Sequence, residues 1–281
     1  MRNSLIIALI LLTTACSNDL SSLDIISLNI RYDNPRDGKN AWPYRKEMVV
    51  DFLDSLDADI FGLQEVLFHQ YSYIDSLLPE YGSVFAGRDD GIRRGEMAPV
   101  FYDKNRFECM DHNTFWLSET PEIPGSKGWG AALPRIVSWV ELSDKRTGKE
   151  IFFFNTHFSH MSDSARLMSS KILAERVMEI SGDNEFIITG DFNMLPESGA
   201  YLALAGGENN TIKDSYHLSN SDPEGADYTY NGFDDEPGEG RIDYIFVRAG
   251  IQVDSFRIIE LRKGDLFLSD HWPVRARLNL K

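Results

Sequence analysis

Polar side chains flank apolar segments at six places in the sequence. They are Asn29, Gln64 with Glu65, His157, Asp191 with Asn193, Asp243, and Asp270 with His271. Side chains just past the ends of buried strands can converge on one pocket, and carboxylates, amides and imidazoles bind cations and transfer protons. Each residue alone is about as well explained as a turn former, a helix cap or a core histidine. The whole set indicates a candidate active site.

The elements that must position these residues alternate from residue 23 onward, with no linker that divides the chain. We predict strands at residues 25–30, 59–63, 83–87, 99–102, 136–142, 151–156, 186–189, 242–247, 253–261 and 273–278. Helical periodicity predicts helices at 45–56, 70–78 and 164–180. Residues 151–154 are apolar on both faces of their strand, which should therefore be covered on both sides. The many strands favour two packed sheets with helices outside.

Composition and charge limit the class of protein. With 281 residues and 42% apolar content, the chain can bury a sizeable core, so a disordered or fibrous protein is excluded. There are 28 Lys and Arg against 44 Asp and Glu, a net charge of −16. This balance argues against a protein that grips long nucleic acid, and phosphate binding should need a cation. Cys16 and Cys109 provide neither a disulfide scaffold nor a paired zinc site.

The N-terminal segment predicts export. Arg2, the apolar run at 5–12 and the small residues before Cys16 have the order of a secretory signal. The run is too short to span a bilayer, and Cys16 resembles the acylated cysteine of bacterial lipoproteins. We expect a signal peptide at 1–15, a tether at 16–22 and one domain at 23–281. The protein would be membrane-anchored through a lipid, in the periplasm or at the cell surface, with secretion as the alternative.

Seven short motifs carry a family resemblance. They lie at residues 28–30, 64–65, 95–102, 155–157, 190–193, 241–244 and 269–271. In order and spacing the chain resembles the endonuclease/exonuclease/phosphatase superfamily, the divalent-metal phosphoesterases that include DNase I, and within it exported bacterial members near the nocturnin and deadenylase branch. The resemblance implies a four-layer α/β sandwich, with two mixed β-sheets packed face to face, helices on both outer sides and the active site at one rim.

The resemblance also implies Mg²⁺ or Mn²⁺, hard cations that prefer oxygen ligands. Glu65 is the first expected metal ligand, and Asn29 and Asp270 would complete or flank that site. A second metal position near Asp191 and Asn193 stays open. Asp191 is expected to activate or orient the attacking water, and Asn193 to donate a hydrogen bond to a phosphoryl oxygen.

Two carboxylate–imidazole pairs are expected beside the metal site. Asp243 should orient His271 and favour its cationic form. Similarity to DNase I implies that Glu96 and His157 form a second pair on the leaving-group side. Which histidine acts as base and which as acid stays open.

Three segments are candidates for substrate binding. Arg31 and Arg36 could clamp a second phosphate, although a solvated loop explains them about as well. The aromatic, proline- and glycine-rich stretch that contains Trp129 and Arg135 could wall a pocket for a base or sugar, or form a packed surface loop. The arginines within residues 88–94 could guide a short phosphodiester.

The expected partner is a phosphoester substrate, and no protein partner is implied. A phosphodiester of nucleotides or short nucleic acid is the first expectation, and phosphomonoesters of sugars, inositol or nucleotides are the second. A sphingomyelinase-like lipid phosphodiesterase is third, because the chain lacks an apolar insertion for a membrane surface. A surface binding protein without catalysis is the remaining alternative.

Overall fold

The computed structural model describes residues 21–207, 210–236 and 238–280; the predicted signal peptide and the tether up to residue 20 lie outside them. The strands are β1 (Ser22–Asn29), β2 (Ile60–Gln64), β3 (Tyr81–Val84), β4 (Val100–Asp103), β5 (Phe107–Trp116), β6 (Ile136–Asp144), β7 (Glu150–His157), β8 (Glu185–Asp191), β9 (Ile212–Asp214), β10 (Asp243–Arg248), β11 (Gln252–Ile258), β12 (Arg262–Lys263), β13 (Leu266–Phe267) and β14 (Val274–Asn279). The helices are α1 (Trp42–Leu56), α2 (Phe68–Leu77), α3 (Asp163–Ser181), α4 (Gly199–Ala205) and α5 (Ser215–Leu218), with a 3₁₀ helix at Pro35–Asn40. None of these helices is long and apolar enough to cross a membrane.

Most strands form two mixed, six-stranded sheets. The first has the order β11-β14-β1-β2-β4-β3 and the second β5-β6-β7-β8-β10-β9, while β12 and β13 form a separate hairpin. β1 pairs with β2 in parallel, and so does β7 with β8. The other pairs in the two sheets are antiparallel.

Alternating apolar side chains build three core layers. On β7, Ile151 and Phe153 pack between the two sheets, whereas Phe152 and Phe154 pack against α3 and α4. Leu28 of β1 lies beneath α1 and α2 on the opposite outer side. Because both faces of the central strands are covered, the sequence reads as nearly continuous apolar runs there. The predicted four-layer α/β sandwich is confirmed.

Several elements were not predicted. β5 is an edge strand whose middle carries the exposed polar residues Asp111, His112 and Asn113, so it lacks the alternation of a half-buried strand. α4 and α5 have 7 and 4 residues, too few to show helical periodicity. The predicted strand at 83–87 is shifted and ends at Val84, because Gly87 begins a tight loop.

Candidate active site

Strand direction brings the predicted site residues to one rim of the sandwich. The parallel strands β1 and β2 end there with Asn29 and Gln64, and β7 and β8 end there with His157 and Asp191. β10 runs antiparallel to β8 and begins at the same rim, with Asp243 directly opposite Asp191. β14 begins there too, opposite the end of β1. Residues that are far apart in sequence therefore share one site.

Asn29 lies at the centre of this site and is fully buried. Its Nδ2 donates to Glu65 Oε1 at 3.2 Å and to Asp191 Oδ2 at 2.9 Å. The same nitrogen lies 3.5 Å from His271 Nε2. Its Oδ1 accepts a hydrogen bond from the Arg31 backbone at 2.9 Å. One amide thus connects both sheets and two carboxylates.

Backbone strain is concentrated around these side chains. Glu65, Arg31 and Asn193 have φ angles of 59°, 58° and 49°, in the left-handed region that non-glycine residues rarely adopt. The strain aims the Glu65 carboxylate inward, where Oε2 accepts from the Tyr32 backbone at 3.1 Å. Conformations of this kind are retained at functional sites, where the surrounding structure holds them in place.

His271 and Asp243 form the expected carboxylate–imidazole pair. His271 Nδ1 lies 2.8 Å from Asp243 Oδ2, and the Asp243 backbone donates to Thr229 Oγ1 at 3.1 Å. The other ring nitrogen, Nε2, lies 3.8 Å from Asp191 Oδ2. Burial by itself lowers the pKa of His271, but the carboxylates of Asp243 and Asp191 outweigh it and raise that pKa well above the usual value. These surroundings favour the imidazolium form of His271.

His157 and Glu96 do not form the hydrogen-bonded pair that similarity to DNase I implied. His157 Nδ1 lies 3.8 Å from Glu96 Oε2, and that oxygen instead accepts from Arg88 Nη1 at 2.8 Å. His157 Nε2 lies 3.4 Å from Asp191 Oδ2. Burial, with the positive charges of Arg135 and Arg88, lowers the pKa of His157 well below its usual value. Glu96 is therefore hydrogen-bonded to Arg88 and lies within ion-pair distance of His157, but beyond hydrogen-bond distance.

The donor set fits a divalent cation. Ligand atoms of Glu65, His157 and Asp191 lie within 4.8 Å of one another, and so do those of Asp191, Asp243 and His271. The second group is explained by its hydrogen-bonded pair, so the region around Glu65 is the candidate metal site. Burial, reinforced by Asp243, raises the pKa of Asp191 to about 7. Such crowding of carboxylates is relieved by a bound cation.

Asp270 and Asn193 lie at the edge of this region. Asp270 Oδ1 accepts from Ser269 Oγ at 3.2 Å, and its Oδ2 lies 3.6 Å from Arg31 Nε. The Asn193 backbone donates to Asp191 Oδ1 at 3.0 Å, and Asn193 Nδ2 donates to Phe158 O at 3.2 Å. Asp270 is thus placed to flank a metal site, and Asn193 to face a substrate.

The predicted substrate-binding residues are only partly brought to the site. Arg31 reaches it but is held by Asp37, through hydrogen bonds of 3.0 and 3.1 Å. Arg135 is buried beside His157. Arg36 is exposed on the 3₁₀ helix, and Trp129 is half-buried with its carbonyl accepting from the hydroxyl of the α3 cap.

A polar network beneath the site was not predicted as functional. Asn155 links the sheets by donating to Leu63 O at 2.8 Å and Pro99 O at 2.9 Å, and its Oδ1 accepts from Gln64 Nε2 at 2.7 Å. A Cβ on Gly62 would lie only 2.5 Å from Asn155 Oδ1, so glycine permits this close approach. Asn155 is the first residue of the sequence motif at 155–157, but an asparagine at this position did not by itself indicate a functional role.

A cavity of about 980 Å³ opens from the rim beside Asn193. Its walls come from the beginnings of α3 and α4 and from the loop that leads to β10. Tyr230 lines it and meets the His271 ring edge to face, with centroids 5.2 Å apart. The cavity therefore adjoins the candidate active site and has room for the organic part of a substrate.

Known proteins resemble this chain in sequence and fold. The model of the Endonuclease/Exonuclease/phosphatase family matches residues 26–271. A solved endonuclease/exonuclease/phosphatase from Bacteroides vulgatus is 40% identical, with 92% of this chain and 99% of that chain covered and a TM-score of 0.88. The mannosyl-6-phosphatase of Bacteroides thetaiotaomicron is 34% identical, with 92% and 100% covered and a TM-score of 0.85.

Curated relatives are longer. The CCR4-Not complex 3′-5′-exoribonuclease subunit Ccr4 of Mycosarcoma maydis is 25% identical over 341 residues, with 92% of this chain and 51% of the relative covered. The chain spans about half or less of the length of the curated relatives it matches. The family match over most of the chain, with the motif residues gathered at one rim, shows that the chain belongs to the endonuclease/exonuclease/phosphatase family of phosphoesterases.

Proposed function

We propose that the protein is a divalent-metal-dependent phosphomonoesterase whose substrate has an uncharged, hydroxyl-rich leaving group such as a sugar. The observation that carries this proposal is the charge of the cavity beside Asn193. The sequence alone placed phosphodiesters of nucleotides first. The cavity and the similarity to a mannosyl-6-phosphatase lead us to reverse that order.

The cavity walls are acidic. Their charged side chains are one arginine, Arg166, and the carboxylates of Asp163, Asp234, Glu236 and Glu239. Arg166 itself pairs with Asp163, so it leaves no free positive charge for a ligand. A leaving group with further phosphates would be repelled here, whereas sugar hydroxyls can donate hydrogen bonds to carboxylates. Tyr230 is 47% exposed and offers an aromatic face to a sugar ring.

Similarity along the whole chain supports a sugar phosphate. The mannosyl-6-phosphatase of Bacteroides thetaiotaomicron is 34% identical and is covered completely. The exoribonuclease subunit Ccr4 is 25% identical and is covered by only about half. The first relative therefore provides the stronger support for a substrate class.

The site residues divide the chemistry between them. Glu65, with Asn29 and Asp270, would hold Mg²⁺ or Mn²⁺, which supplies charge neutralisation on the phosphoryl oxygens. Asp191 orients and deprotonates the attacking water, since its carboxylate lies between both imidazoles. The His271 imidazolium stabilises the negative charge that develops on phosphorus oxygens.

The test compares matched chromogenic substrates with the full chain. Hydrolysis of 4-nitrophenyl phosphate and bis(4-nitrophenyl) phosphate is measured with Mg²⁺, with Mn²⁺ and with EDTA, and then mannose 6-phosphate is compared with nucleoside diphosphates. We expect metal-dependent monoester hydrolysis, inhibition by EDTA and preference for the sugar phosphate. Faster hydrolysis of the diester, or of nucleoside diphosphates, would overturn the proposal.

A nucleotide phosphodiesterase is the second candidate. Arg93 and Arg94 are exposed on the loop that precedes Glu96, and Arg94 forms an ion pair with Asp90. Positive side chains there favour a short anionic strand over a neutral sugar. In the assay above, diester preference that falls on neutralising both arginines would place this candidate first.

We also propose that the protein is exported and anchored by a lipid on Cys16. The proposal rests on the sequence pattern before that cysteine. In a bacterial host, the full chain should fractionate with membranes and carry an acylated N-terminal cysteine by mass spectrometry, and Cys16→Ala should abolish both. Recovery of the unmodified chain from the cytosolic fraction would contradict it.

A further inference from the structure

We propose that Arg135 belongs to a buried anion subsite beside His157, where it binds a phosphoryl oxygen and selects dianionic monoesters over diesters. This inference rests on the proposed phosphomonoesterase function. It names the residue that would distinguish a dianionic phosphate group from a monoanionic one. Arg135 lies at the start of β6, at the same rim as the catalytic side chains.

The Arg135 guanidinium is buried without the partners that such a group requires. Its residue is only 5% exposed, and Nε and Nη1 have no hydrogen-bond partner among the described residues. Nη2 alone is engaged, at 3.2 Å from His160 Nδ1. No carboxylate in the described part of the chain forms an ion pair with it. Since burying an unpaired charge is costly, this arrangement implies an anionic ligand.

A small cavity lies where that ligand would bind. Arg88, Glu96, Arg135 and His157 supply its polar walls, and its volume is about 10 Å³. Space of this size holds one water molecule or one oxygen atom. The cavity adjoins the reaction centre, because His157 Nε2 lies 3.4 Å from Asp191 Oδ2. A phosphoryl group at the site can therefore extend one oxygen toward Arg135.

The net charge of these walls is positive. Glu96 accepts a hydrogen bond from Arg88 at 2.8 Å, so these two side chains neutralise each other. The imidazole of His157 contributes no negative charge to these walls in either of its protonation states. The charge of Arg135 is therefore the one that stays uncompensated, and it matches an oxyanion.

The two ester classes differ in the group they present to this subsite. A phosphomonoester has three non-bridging oxygens and two negative charges, whereas a diester has two such oxygens and one charge. A monoester can place its third non-bridging oxygen in this cavity, whereas a diester carries an ester group at the corresponding position, and that group is too large for a cavity of one oxygen atom. Arginine suits the task because its planar fork of N–H donors matches phosphate oxygens.

The experiment measures kcat/KM for 4-nitrophenyl phosphate and bis(4-nitrophenyl) phosphate with Arg135→Gln and Arg135→Lys in the full chain. Arg277→Gln is the matched control, because Arg277 is an exposed strand arginine that pairs with Asp24 at the opposite end of β1. Inhibition of diester hydrolysis by inorganic phosphate provides a readout that does not require monoester turnover. Thermal unfolding shows whether each variant folds.

We expect Arg135→Gln to lose about 10- to 100-fold on the monoester and less than about 3-fold on the diester, the range for a lost charge-assisted hydrogen bond. Inhibition by phosphate should weaken to a similar degree, and the lysine variant should fall between. Equal losses on both substrates, or none, would overturn the inference, as would unchanged inhibition by phosphate. The proposed function fails separately, if the unmodified protein prefers the diester. If Arg135→Gln does not fold, the same comparison of monoester and diester hydrolysis with Arg135→Lys tests the inference.

Discussion

The two imidazoles of the site have opposite electrostatic surroundings although both lie beside Asp191. His271 Nδ1 is 2.8 Å from Asp243, whereas His157 Nδ1 is 3.8 Å from Glu96, whose oxygen is bound by Arg88. Carboxylates raise the pKa of His271 above its usual value despite burial, and burial with two arginines lowers that of His157. The site thus surrounds one imidazole with carboxylates and the other with arginines, which favours opposite charge states for the two rings.

The difference assigns different tasks to the two rings. An imidazolium at His271, hydrogen-bonded to Asp243, can stabilise phosphoryl charge. A neutral His157 offers hydrogen bonds beside Asp191 and Arg135 and supplies no positive charge. The following experiments separate these tasks.

Removal of His271 should have the largest effect. We expect His271→Ala to lower kcat/KM by about 10³- to 10⁴-fold, because the loss removes a positive charge next to the reacting group. The control is His217→Ala, which should keep full activity. His217 is exposed and lies near the ion pair that Asp214 and Arg241 form at 2.9 Å. A loss below tenfold would show that the charged ring is dispensable.

Neutralising its partner should have a smaller effect. Asp243→Asn keeps the shape but removes the charge that holds the imidazolium, and we expect kcat to fall about 10²-fold. The pH profile should change as well. Because the pKa of His271 drops, the loss of activity on raising the pH should begin at a lower pH than in the unmodified protein. An unshifted pH profile would contradict the role given to Asp243.

His157→Gln should have a modest effect, about tenfold on kcat/KM, because a neutral hydrogen-bonding group replaces another. The variant keeps hydrogen-bonding capacity toward Asp191, so the binding of metal should be unchanged in a titration with Mn²⁺. A loss as large as that of His271→Ala would mean that His157 carries charge or transfers a proton, and the comparison would fail.

The smallest perturbation is a change of pH. In metal-free protein, ¹⁵N chemical shifts of the ring nitrogens should show His157 neutral and His271 protonated at pH 6.5. The sign follows from a pKa below the usual value for His157 and one above it for His271. Parallel titration of His157 and His271 would contradict the proposed asymmetry.

The sequence predicted elements best where burial imposes a regular pattern. β7 was predicted at 151–156 and covers Glu150–His157, because its apolar side chains pack in both neighbouring layers. β5 was not predicted, since an edge strand can carry consecutive polar residues that face solvent. No role was assigned to Asn155, for a related reason: an amide buried between two sheets is recognisable only when both sheets are known.

Most of the candidate site was also predictable from sequence. Asn29, Asp191 and His271 follow or precede buried strands, and strand direction requires those ends to meet at one rim. Arg36 was chosen because its segment directly follows Asn29, and Trp129 because it lies in an aromatic, proline- and glycine-rich stretch. Nothing in the sequence fixes where a loop places such side chains: Arg36 is exposed, and Trp129 is half-buried beside the cap of α3.

The sequence by itself determined which functional groups reach the rim, because alternation and strand order fix the position of each strand end. Only the tertiary structure decided which groups pair there. The loop from Gly87 turns at Gly95, with φ of 80°, so that the Arg88 backbone bonds to Glu96 O and the side chains lie together. Trp116 Nε1 donates a hydrogen bond to the Arg88 carbonyl oxygen at 2.7 Å and so holds the loop in place. Pairing depends on differences of about 1 Å, which only the packed loops and strands set.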